Sequence, residues 1–112
     1  MLKKEILRRQ KDFSTIYNKG KSIGERYVVV FYRRNNLSYN RISFLASKKI
    51  GNSVIRNRAR RLMKESYRQI FHLFGVGYDI IFIGRKTIID SKCADVKKSM
   101  EAAAKKAKII KK

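Results

Sequence analysis

The 112-residue chain carries 29 Lys and Arg against 8 Asp and Glu, a formal net charge of +21. A compact chain of that charge repels itself, so the expected partner is a polyanion, either nucleic acid or an anionic membrane surface; an acidic small molecule would use only a few of these charges. The length fits one domain over residues 1–112, and 44% apolar content with six Tyr and six Phe excludes a disordered basic tail.

The lone cysteine, Cys93, rules out an intramolecular disulfide and points to a reducing cytoplasm. The N-terminus lacks the apolar stretch of a signal peptide, and the longest apolar run, residues 27–32, falls far short of the roughly 18 residues that span a bilayer.

In chain order, residues 1–9 are a basic arm with scattered Leu and Ile. The arm stays flexible, extends the next helix or lies strand-like; the pattern does not choose. Residues 10–19 read as a short helix, because Phe13, Ile16 and Tyr17 recur on one face. Gly20 follows as a C′ residue, where a left-handed conformation suits glycine. Residues 21–24 allow a short edge strand. Residues 26–33 are β-branched and aromatic on both faces, a strand covered at least in part on both sides. A polar turn over residues 34–38 leads to a strand over 41–47, in which Ile42, Phe44 and Ala46 alternate with Ser43, Leu45 and Ser47.

A long helix is expected over residues 53–74, capped by Asn52 or Ser53, with Ile55, Ala59, Leu62, Met63, Ser66, Ile70 and Leu73 on one face. Gly75-Val76-Gly77 stops it. Residues 78–84 form a strand whose Ile80-Ile81-Phe82-Ile83 run suits a central position. Asp90 or Ser91 caps a last helix carrying Cys93, Val96, Met100, Ala103, Ala107 and Ile110 at 3 and 4 spacing. The fold class is α+β: a small two-layer sandwich of helices on a sheet of about four strands, in the order αβββαβα.

The placement of charge says more than its total. Asn57, Arg60, Arg61, Lys64 and Arg68 fall opposite the apolar face of the long helix, and Arg56 and Arg58 flank that stripe. Like charges at i, i+4 destabilise a free helix, whereas arginine's donor fork suits phosphate oxygens. A solvated surface face is the bland alternative. The Lys49-to-Ser53 turn adds a glycine before a helix start, where free backbone N–H groups favour an anion; it lacks the spacing of a nucleotide-binding P-loop. Phe13, Tyr17 and Phe31 serve either as ordinary core or as a surface on which unpaired bases stack.

Catalytic patterns are missing. His72 is the single histidine, no CxxC accompanies Cys93, and the eight acids form no DxD or ExxH cluster for Mg²⁺. No catalytic residue, metal ligand or protein-borne active site is expected.

Residues 47–65 read Ser-Lys-Lys-Ile-Gly-Asn-Ser-Val-Ile-Arg-Asn-Arg-Ala-Arg-Arg-Leu-Met-Lys-Glu. This stretch resembles the signature of the bacterial ribonuclease P protein subunit: Lys-x-Gly-Asn, then Arg-Asn-Arg on a helix, then a basic pair. Arg56-Asn57-Arg58 and Arg60-Arg61 match in register. Leu7-Arg8, Asp12-Phe13, Lys19-Gly20, the aliphatic strand after them and Tyr78-Asp79-Ile80-Ile81 leading to Arg85 extend the resemblance over nearly the whole chain. Ser53 stands where the family commonly has alanine, and Arg60 and Lys64 exchange Lys and Arg types.

The resemblance implies a subunit that helps a catalytic RNA remove the 5′ leader of precursor tRNA, with Mg²⁺ held mainly by that RNA and no cofactor bound by the protein alone. By the same analogy Arg56, Asn57, Arg58, Arg60, Arg61, Lys64 and Arg68 dock on the catalytic RNA, one to one. Phe13, Tyr17, Val29 and Phe31 floor a cleft for the single-stranded leader, with Ser47, Lys49 and Arg85 at its rim. No membrane and no obligate protein partner are implied, and the β-α-β crossover is expected to be left-handed on the resemblance alone. The alternative is a ribosomal-type or chaperone-like general RNA-binding protein.

Overall fold

A computed structural model describes residues 2–111; Met1 and Lys112, the two ends of the expected domain, lie outside the described residues. The chain runs α1 (Gln10–Lys19), β1 (Lys21–Gly24), β2 (Val28–Arg34), β3 (Arg41–Leu45), α2 (Ser53–Ile70), β4 (Tyr78–Gly84) and α3 (Cys93–Lys106). The strands form one mixed sheet in the order β1-β2-β4-β3. β2 pairs antiparallel with β1 and with β4, while β3 and β4 are parallel neighbours joined through α2.

Alternation along the strands divides the apolar residues between two sides of the sheet. Val28, Val30, Ile42, Phe44, Ile80 and Phe82 face α2 and α3, where they meet Ala59, Met63, Ile70, Val96, Met100 and Ala103. Burying a large side chain of this kind stabilises the fold by roughly 1.5–3 kcal/mol. On the other side Ile81 packs under Ile16 of α1 and Leu7 of the arm. Ile80, Ile81 and Phe82 are all fully buried, as the apolar run of a central strand requires.

The basic arm is not an extension of α1. A short 3-10 turn, Lys3–Glu5, is followed by a parallel bridge from Ile6 to Ile42, and the Leu7 N–H donates to the Ile42 carbonyl at 2.9 Å. The arm therefore lies along β3, with Leu7 buried as its anchor.

Gly20 departs from expectation. Its φ is −84°, not left-handed. Its glycine is a matter of space: a Cβ there would stand 2.5 Å from the Ile16 carbonyl oxygen and 2.6 Å from that of Tyr32. β2 starts at Val28 because Glu25 N–H bonds back to the Val28 carbonyl and turns the chain at residues 26–27. β3 ends at Leu45, before a 3-10 turn, Lys48–Ile50. α2 ends at Ile70 and tightens into another, Phe71–Leu73, which leaves Leu73 exposed and carries His72.

Asp90 and Ser91 do not cap the last helix. Asp90 closes a 3-10 turn, Lys86–Asp90; the Ser91 hydroxyl donates to the Ile88 carbonyl, and the helix begins after Lys92. It stops at Lys106, so Ile110 lies beyond it and bridges Phe74.

Candidate nucleic-acid interface

The α1 side of the sheet is only partly covered, and its register defines what stays open. Gly24, Val29, Ile83 and Leu45 stand abreast in one row across β1, β2, β4 and β3; Ser22, Phe31, Ile81 and Ser43 form the next row. The rows are two residues apart, about 7 Å. Ile81 is sealed, but Val29, Phe31, Leu45 and Ile83 remain partly exposed beside α1. Phe13 and Tyr17, one turn apart on α1, overhang this strip. The Tyr17 ring meets Phe31 edge-on at 5.0 Å and Phe13 in a stacked arrangement at 6.5 Å. Tyr17 is 42% exposed, and the partial burial of its hydroxyl raises its pKa, so it stays a neutral donor.

Two linked acids hold α1 over the strip. Arg41 of β3 donates from Nε and Nη2 to Asp79 of β4 at 2.7 and 2.6 Å, and Nη1 lies 3.5 Å from Asp12 on α1. Asn35 adds a bond to Asp79 at 2.9 Å. The hydrogen bond to Asp79 and the nearby carboxylates raise the Arg41 pKa, so the guanidinium stays charged.

At the far end of the strip Ser47 and Lys49 are exposed after β3. Arg85 follows β4 and reaches across Gly24 to donate to the Glu25 carbonyl at 3.3 Å. Thus the expected cleft residues Phe13, Tyr17, Val29 and Phe31 meet, with Ser47, Lys49 and Arg85 at one end. Leu45 and Ile83 belong to the same floor, although the sequence reading does not single them out. Their strand parity, shared with Ser47 and Arg85, is the signal that finds them.

The second basic feature lies on the opposite side. Asn52 caps α2 by accepting from Ile55 N–H at 3.0 Å, so one donor of the anticipated anion cue is already occupied. Gly51 before it sits at φ +153°, and a Cβ would crowd Ile55 at 2.8 Å. Asn57, Arg61 and Lys64 are exposed, and the half-buried Arg60 donates to the Asn57 side-chain oxygen. Arg56 is half-buried, donates to Ser53 Oγ at 3.2 Å and leaves its Nε without a protein partner. Arg58 leans toward the Ile89 carbonyl. Arg68 grips Glu65 with two bonds of 2.9 and 2.6 Å, so its fork is already filled.

Because α2 and α1 pack on opposite sides of the sheet, the basic face and the aromatic strip look away from each other. Residues 46–52 join them. Among the described residues no three of His, Cys, Asp or Glu come together, and no helix is long and apolar enough to cross a membrane.

Known proteins share this fold. The family model described as Ribonuclease P matches residues 1–108, which include both the strip and α2. The chain belongs to the bacterial ribonuclease P protein family. A Thermoanaerobacter ribonuclease P protein component is 42% identical over 94 residues, covering 84% of this chain and 81% of that protein. That of Alkaliphilus metalliredigens is 39% identical over 104 residues, covering 93% and 94%. The Staphylococcus aureus ribonuclease P protein structure superposes with a TM-score of 0.83 at 30% identity, over 96% of this chain and 98% of the other. The Thermotoga maritima protein gives 0.82 at 29%, over 91% and 96%. The α+β fold of three helices on a four-stranded mixed sheet is therefore that of the bacterial ribonuclease P proteins.

Proposed function

We propose that this chain is the protein subunit of a cytoplasmic ribonuclease P. It binds the catalytic RNA one to one through the outer face of α2 and takes the single-stranded 5′ leader of precursor tRNA in the cleft beside α1. The observation that carries the reading is that the sheet has two unlike sides. One side bears an open aromatic strip, and the other a helix face of Asn57, Arg60, Arg61 and Lys64.

Chemically the two sides suit different RNA. Stacking on Phe13, Tyr17 and Phe31 asks for unpaired bases and tolerates any sequence. Guanidinium and ammonium groups on a straight helix contact phosphates of a folded RNA without reading bases. A protein of net charge +21 between two polyanions lowers their mutual repulsion and favours the ternary complex. Mg²⁺ in such an enzyme supports phosphodiester hydrolysis. In this reading the ion is held mainly by the RNA, as the family resemblance implies.

The test is cleavage of precursor tRNA. The protein alone is expected to cleave nothing, and at low Mg²⁺ to enhance cleavage by its cognate catalytic RNA strongly. No enhancement would refute the assignment. Phe31→Ala should weaken precursor tRNA binding, by about 1–3 kcal/mol for the missing stack, and leave mature tRNA binding unchanged. Equal losses for both would place Phe31 in the core rather than in a leader site. A general RNA-binding protein would show no leader dependence at all.

A further inference from the structure

A pocket of about 380 Å³ lies where the ends of α1, β2 and α3 meet, at the end of the sheet opposite Ser47 and Arg85. Five cations line it: Lys19, Lys21, Arg33, Arg34 and Lys108. None has an ion pair among the described residues, whereas Arg41, Arg68 and Lys106 each hold an acid. No carboxylate is among the lining residues. Tyr32 and Tyr78 supply an aromatic wall, and the Arg34 guanidinium lies over the Tyr78 ring at 5.3 Å. A guanidinium stacked in this way is oriented while its donor edge stays free.

Two backbone features build this pocket. Gly20 lets the end of α1 close against the Tyr32 carbonyl, so Lys19 and Arg33 stand beside each other. Lys108 sits at φ +59°, at the C′ position of α3, where glycine is usual. The turn is a Schellman closure: Lys108 N–H donates to the Lys105 carbonyl at 3.1 Å and Ile109 N–H to the Ala104 carbonyl at 2.9 Å. A lysine held at a glycine position carries strain with no packing return, because its side chain is exposed in the pocket.

We propose that this pocket binds phosphates of a single RNA strand, the part of the leader upstream of the segment in the cleft. The inference rests on the leader reading above. Arg33 follows Phe31 on the same strand face, about 7 Å further along β2. Lys19 lies half a turn beyond Tyr17 on α1. The arginines of α2 cluster near its start, beside Ser47, so a leader coming from the catalytic RNA enters at that end and leaves toward Arg33. Tyr32, Tyr78 and Ala107 pack against the α2 and α3 side of the sheet, so the RNA strand rounds the end of the sheet at Lys19 and Arg33 to reach the pocket. The pocket is sequence-tolerant, since its groups are cations and rings rather than base-reading pairs.

The experiment uses holoenzyme reconstituted with the catalytic RNA. It compares mature tRNA, precursor tRNA with a short leader ending within the cleft, and precursor tRNA with a longer leader. Lys108→Gly removes a charge and suits the backbone, so it should keep or raise Tm. It should cost about 3-fold in affinity for the long leader only. Adding Arg33→Gln and Arg34→Gln should erase the gain from leader length and flatten its salt dependence by about 0.7 unit for each phosphate no longer neutralised. Unchanged long-leader binding would overturn the pocket. An equal loss on the short leader, or weaker binding of the catalytic RNA, would assign these cations elsewhere and also overturn it. Phe31→Ala in the same assay separates the two readings: if it is silent while the pocket variants remain selective, the cleft reading falls and the pocket stands.

Discussion

At Gly20 the end of α1 and the end of β2 approach until no methyl group fits between the Ile16 and Tyr32 carbonyls. Both obstructing atoms are backbone, which cannot rotate away. Gly20→Ala should therefore lower stability by about 1–3 kcal/mol, read as a lower urea midpoint with an unchanged slope. Asp79 is a second residue on which the site depends. It is 5% exposed and answers Arg41 with both oxygens. Asp79→Asn leaves that guanidinium facing an amide and loosens its hold on Asp12. About 2–3 kcal/mol should be lost, toward the low side for a buried pair because Arg41 keeps some solvent access. Leader affinity should fall with it while catalytic-RNA affinity persists. Neither effect is legible in the sequence. A glycine after a helix suggests a left-handed turn, and only the approach of a distant strand reveals the steric reason. Tyr67 is hidden from sequence reading for a similar cause. It lies at the margin of the apolar face of α2, yet its ring reaches Phe44, Phe74 and Phe82 at 5.8, 5.2 and 5.5 Å. Its burial pushes the hydroxyl pKa up to about 12.

For α2 as an element, the set of polar side chains open to a ligand is narrower than helical periodicity suggests. Asn57, Arg60, Arg61 and Lys64 stand together, whereas Arg58 leans to Ile89 and Arg68 is occupied by Glu65. Arg60→Ala with Arg61→Ala should weaken catalytic-RNA binding and reduce the salt slope by about one unit for each phosphate that is no longer bound. An unchanged slope would remove this face from the interface. Glu65→Gln should do the reverse, freeing the Arg68 fork and steepening the slope. Arg68 and Gln69 hold the Glu65 carboxyl down at about 2. A depressed acid contributes its favourable pairing above its unfolded pKa and loses it only as pH falls through the folded value. The pairing should thus persist throughout the neutral range, so the variant, not pH, is the means of opening it. The periodicity of α2 is readable because helix faces follow from spacing alone. Which arginines are already engaged depends on neighbours such as Glu65 and Ile89, whose side-chain geometry spacing does not report.

Across the whole molecule, the same +21 acts on folding and on binding with opposite dependence on salt. Added salt screens the self-repulsion of the compact chain and also weakens attraction to phosphates. Tm should therefore rise with salt over a range in which RNA affinity falls, a pair of slopes that calorimetry and a binding titration would read on one sample. The strand and helix order is legible because β4 is apolar on both faces and α1 on one. The partner of each strand is not, since β3 and β4 meet across the whole of α2. That placement also bears on synthesis. β4 stands between β2 and β3, so the β1–β2 hairpin and β3 have no common edge until residues 78–84 leave the ribosome. Until then Val30 and Phe44 lack Phe82 beside them, and Ile42 lacks Ile80. The nascent chain is expected to stay an open, sticky intermediate until at least residue 84 of 112 has been added, three-quarters of its length, and its folding is then set by one late, non-local closure.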